Sequence, residues 1–167
     1  MSAEMQLIEL WRVIVAALLG GAIGLEREFS NKAAGLRTHM FVAGGSAIFV
    51  VLGRMITHEY TAGTTDQFMG DPIRIIQAIV VGVSFIGAGT IIQNERREKV
   101  RFLTTAASIL FTAGTGIAAA LDLWVFAVGV TGLALFISHV VKIAEHRLAE
   151  RYEIHKSGSE HDTSRID

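Results

Sequence analysis

Charge-free apolar runs recur along the chain at close to the length of a membrane crossing. A hydrocarbon core of about 30 Å takes about 20 helical residues, and the segments 75–94, 102–121 and 123–141 contain no Asp, Glu, Lys or Arg. Two further runs are less clean. Segment 7–25 carries Glu9 and Arg12, three apart on one helix face near its end, where they can pair and reach the headgroups. Segment 40–56 is shorter and carries Arg54 near its exit. A buried helix of a soluble protein is the alternative for these two, and three neighbouring spans favour insertion. The pattern therefore predicts an all-α fold, a polytopic transmembrane bundle of about five helices over residues 1–142. A cytoplasmic helical extension and a disordered end at 157–167 are expected over 143–167, where Glu and Arg recur at helical spacing before the pattern is lost.

Charge placement sets the expected orientation. Lysine and arginine favour the cytoplasmic side of a membrane, and five spans put twelve of the fifteen basic residues on one side, leaving Arg12, Arg54 and Arg74 at helix ends on the other. That asymmetry predicts an amino terminus outside and a carboxyl terminus in the cytoplasm. Four spans would spoil the segregation. The turn between the last two spans, around Leu121 and Asp122, is expected to be the tightest. Glycine is frequent within the runs, at Gly20, Gly24, Gly87 and Gly89 among others, and small residues let helix backbones approach where packing drives association. Gly20 and Gly24 form a GxxxG pair. A compact bundle is expected, and a homo-oligomer with it.

Composition narrows the chemistry. Hydrophobic residues make up 51% of the chain, with a mean hydropathy of +0.45 and a single proline, a profile that soluble domains rarely have. Fifteen basic residues against sixteen acidic ones give no net basicity to attract nucleic acid. The chain has no cysteine, which excludes disulfides, thiolate zinc sites and cysteine-ligated iron–sulfur clusters. The first residues lack the basic start of a secretory signal, so the first apolar run is expected to be retained. Six histidines show no paired ligand spacing, and no phosphate loop, nucleophile elbow or catalytic triad pattern is present. No metal, cofactor or enzymatic activity is expected.

Two constellations remain. Asp71, Pro72, Ile73 and Arg74 open the third span, where Asp71 fits a helix cap, Pro72 fits the first helical position, and the positive helix end favours the carboxylate. Two readings fit Asp71 and Arg74: a cap with an arginine reaching the headgroups, or an acid and base at the outer mouth that bind or gate a cation or a partner. Arg12 and Arg54 belong to the same face and are candidates to compete for Asp71. On the opposite side Glu26, Arg27, Glu28 and Arg37 crowd the first loop, read as a short interfacial helix ended by Gly35, and Arg101 with Thr104 and Thr105 opens the fourth span beside them. An ordinary basic loop and a structured ion-pair network both fit. Within the spans the polar atoms are mostly hydroxyls, which usually bond their own helix, and no carboxylate lies at mid-membrane.

Residues 24–49, GLEREFSNKAAGLRTHMFVAGGSAIF, resemble the bacterial MgtC/SapB membrane-protein family. So do DPIRIIQAIVVGVSFIGAGTII at 71–92 and VRFLTTAAS at 100–108, although Ser84 and Phe102 stand where the family usually has glycine and Ile86 stands where it often has leucine. The resemblance implies a bacterial cytoplasmic-membrane protein tied to magnesium limitation, acid stress and host survival, and it places the family's motif charges at Asp71, Arg74, Glu26, Arg27 and Glu28. It points to the short, SapB or YhiD-like branch without a carboxy-terminal ACT-like domain. Two functions fit: a non-enzymatic modulator of another membrane complex, such as an ATP synthase or cation pump, or a channel or secondary carrier for a cation or small solute.

Overall fold

The computed structural model describes residues 2–61, 72–92 and 102–140. Asp71, Arg101 and the extension expected over 143–167 lie outside the described residues. The chain divides into two compact units, 1–134 and 135–167, and the packing below concerns the first.

The described residues form five helices and no strand: α1 (Ala3–Phe29), α2 (Leu36–Thr61), α3 (Pro72–Ile92), α4 (Leu103–Ala120) and α5 (Trp124–Val140). The first four are long and apolar enough to cross a membrane, and α5 is an apolar helix of about 26 Å at 1.5 Å per residue. Proline begins α3, as expected.

Helices α1, α2 and α4 pack against one another, and α3 lies on α2 and α4. The centre is built from small residues: Ala16, Ala43, Ala47, Ala113 and Ala118–Ala120 are all buried. Glycines make the close approaches. A Cβ on Gly20 would lie 2.5 Å from the His39 carbonyl oxygen and 2.6 Å from Ala43 Cβ, and one on Gly24 would lie 2.8 Å from Leu36 Cα. A Cβ on Gly116 of α4 would strike the Ala43 carbonyl from the other side. The GxxxG pair of α1 thus seats α2, with α4 closing against the same turn. Gly87 meets Ala106 at 3.3 Å by the same construction, whereas Gly89 has no neighbour within 4 Å in this chain.

The first loop differs from the expected interfacial helix. Helix α1 runs on to Phe29 and ends in a tight closure, with Asn31 left-handed at φ 52°, the Asn31 amide donating to Glu28 O at 3.0 Å and the Lys32 amide to Arg27 O at 3.0 Å. This is a Schellman closure with asparagine in the position glycine most often fills. Gly35 therefore leads into α2 instead of ending a helix, with Glu26, Arg27 and Glu28 in the last turn of α1 and Arg37 in the first turn of α2.

Candidate functional site

Four charged side chains meet at one end of the bundle. Glu9 and Arg12 project from the same face of α1, Arg54 comes from the last third of α2, and Asp122 occupies the turn between α4 and α5. Arg12 holds Asp122 bidentately, Nε to Oδ1 at 2.6 Å and Nη2 to Oδ2 at 2.6 Å, and also donates Nη1 to Glu9 Oε1 at 2.5 Å. Arg54 donates to the same Glu9 oxygen, reaches the Ala120 carbonyl at 3.4 Å and stands 3.7 Å from Asp122. Two guanidinium and two carboxylate groups balance in charge, and Glu9 is the most buried of them at 9% exposure. The planar fork of arginine matches a carboxylate in this way, and a lysine would not.

Backbone geometry brings Asp122 into position. The Asp122 amide donates to Ala119 O at 3.2 Å and the Leu123 amide to Ala118 O at 3.0 Å, with Asp122 left-handed at φ 61°. This second Schellman closure turns the chain within two residues and aims the carboxylate at α1. The expected tight turn is there. The expected pairing of Glu9 with Arg12, and of Arg12 with Arg54 on one face, is also there. Both arginines donate to Glu9, and the second acid beside them is Asp122, which the sequence marks only as a turn residue, whereas Asp71 lies outside the described residues. The signal for Asp122 was an aspartate, where glycine or asparagine would suit a left-handed turn, on the side that carried three arginines.

At the opposite end the motif charges close the α1–α2 loop. Glu28 Oε2 accepts the Leu36 amide at 2.8 Å, so an anion from the end of α1 caps the start of α2. Glu26 accepts the Ser30 hydroxyl at 2.9 Å, Arg27 is buried at 3% exposure, and Arg37 is exposed. Beside them His39 is fully buried among α1, α2 and α4. Its Nδ1 lies 2.9 Å from Gly35 O and must donate there, and its Nε2 lies 3.3 Å from Ser108 Oγ. A neutral ring then accepts at Nε2, in competition with the Thr105 carbonyl, which the Ser108 hydroxyl meets at 2.8 Å. Position alone did not single His39 out, because a histidine near a loop reads as solvated until the neighbouring helices cover it. Arg74 sits exposed in the first turn of α3. Among the described residues no three of His, Asp and Glu converge to hold a metal ion.

Comparison with known proteins places this architecture. Residues 13–147 match the MgtC family. "Putative magnesium transporter YhiD" of Escherichia coli (strain K12) is 43% identical over 105 residues, which is 63% of this chain and 47% of that protein. "Protein SrpB" of Synechococcus elongatus is 36% identical over 120 residues, 68% of this chain and 64% of that protein. "Protein MgtC" of Brucella abortus (strain 2308) is 39% identical over 102 residues, 61% and 38% respectively. The aligned part spans about half the length of these curated relatives, and no solved structure matches the chain. With its family match covering most of the sequence and its helices long and apolar enough to cross repeatedly, the chain is a multi-pass membrane protein that belongs to the MgtC family.

Proposed function

We propose that this chain is a non-enzymatic modulator of another membrane complex, such as an ATP synthase or cation pump, in the bacterial cytoplasmic membrane. It serves adaptation to magnesium limitation, acid stress or life in a host, and works as a homo-oligomer. One observation carries this reading: threonine hydroxyls within the described spans are spent locally. The hydroxyls of Thr90, Thr112, Thr115 and Thr131 donate to carbonyls of their own helices at 2.7, 2.8, 3.2 and 2.8 Å. A permeation path needs polar groups turned towards water across the bilayer, and these are turned inward to the backbone. The charge cluster is neutral and lies at one end. Such a bundle is suited to presenting apolar helix faces to a neighbour.

The printed name of the Escherichia coli relative favours the second reading, transport of magnesium by this chain. Flux separates the two. Purified protein in sealed liposomes is expected to give magnesium and proton flux no higher than protein-free liposomes. Flux that Asp71→Ala or Asp122→Asn abolishes would replace the modulator with a transporter.

A further inference from the structure

Helices α2 and α3 enclose a groove of about 950 Å³. It exists because α3 is anchored at two separate places: Ile75 packs into Gly53 of α2, and Gly87 packs on Ala106 of α4. Between those anchors nothing lies within 4 Å of a Cβ placed on Gly45 or Gly82. Ile79 and Val83 form a buried apolar floor, and the lips, Phe41, Phe49, Ile56 and Ile86, are exposed. From Phe41 to Ile56 the groove runs along α2 for about 22 Å at 1.5 Å per residue. That is longer than one leaflet, which is about 15 Å of a 30 Å core.

Its lining is apolar along this length apart from Ser46, and Arg74, in the first turn of α3, and Thr57, one residue beyond Ile56, also line it. Arg74 also makes interactions within the protein, and a guanidinium carries five N–H donors, enough to serve a second partner. A cation at the end of a long apolar slot matches one molecular outline, an acyl chain with a phosphate at its head. The planar fork of arginine suits phosphate oxygens.

We propose that the α2–α3 groove is a binding site for one anionic phospholipid, its acyl chain lying over Gly45 and Gly82 and its phosphate at Arg74. A transmembrane helix is a poorer occupant. The bulky exposed lips keep its backbone from the close approach that helix association in lipid favours. A flexible chain enters between the lips and meets the open glycines. This inference requires membrane insertion and is independent of whether the protein modulates a partner or transports an ion.

Native mass spectrometry tests it on the full chain, released from bilayers of equal phosphatidylglycerol and phosphatidylcholine. The expected result is a single retained lipid adduct, enriched in phosphatidylglycerol by about tenfold. Arg74→Gln should bring the two lipids to equal retention. Gly82→Leu and Gly45→Leu fill open space, so both should keep the unfolding temperature while the adduct disappears. Equal retention of the two lipids by the unsubstituted protein would overturn the proposal, as would an adduct that survives both filled variants. A dimer that Gly82→Leu dissociates, with the lipid content unchanged, would give the groove to a second copy instead.

Discussion

At position 122 an aspartate holds a left-handed backbone that costs an L-residue about 1–2 kcal/mol where glycine has no such penalty. What offsets the cost is the carboxylate, both of whose oxygens are held by one edge of Arg12, Nε and Nη2. Two contributions are therefore separable by substitution. Asp122→Asn keeps a residue tolerant of this backbone and removes the charge, whereas Asp122→Ala loses both. Asp122→Gly removes the strain along with the carboxylate, so it should unfold with about 1 kcal/mol more stability than Asp122→Ala. The Arg12→Gln and Asp122→Asn pair should show a coupling of about 1–2 kcal/mol in a double-mutant cycle, measured by denaturant unfolding in micelles. Additive effects would mean that the ion pair contributes nothing. Glu9→Gln should be at least as damaging as Asp122→Asn, because Glu9 faces both arginines and its loss leaves a partly buried excess of positive charge.

Among the elements, glycine positions that look alike in sequence differ in what surrounds them. Gly20 and Gly116 bring α1 and α4 onto the backbone of α2 around His39 and Ala43. Alanine at either position should destabilise the fold by about 1–3 kcal/mol, the range for overpacking a filled contact. Gly89 and Gly114 stand open within this chain, and alanine there should be neutral or stabilise by up to about 1 kcal/mol through helix propensity. Unfolding midpoints of the four variants check this. A loss at Gly89 as large as that at Gly20 would point to a neighbour from another chain. Helix α3 is the least embedded of the spans, which is why the groove opens beside it.

For the whole molecule, the contact of Arg12 with Asp122 requires the early part of α1 and the junction of α4 with α5 to share one end, as alternating crossings demand. At the other end the described residues Arg27, Lys32 and Arg37 are basic, and the positive-inside rule predicts that this end faces the cytoplasm. The absence of cysteine makes the assignment easy to probe. A membrane-impermeant maleimide should label Glu4→Cys in intact cells and Lys32→Cys only after permeabilisation. The reverse pattern would invert the orientation.

The sequence by itself determined the helical class, the apolar helices among the described residues, the family and the pairing of Glu9 with Arg12. These follow from periodicity, span length and local spacing, which a linear chain carries in full. Only the tertiary structure decided that Asp122 completes the charge cluster, that Glu28 caps the next helix, that His39 is enclosed, and that Gly45 and Gly82 border open space while Gly116 does not. Each of these depends on which residues meet after helices far apart in sequence pack. Arg12 and Asp122 are 110 residues apart, and no local pattern encodes a contact made by three helices and a turn.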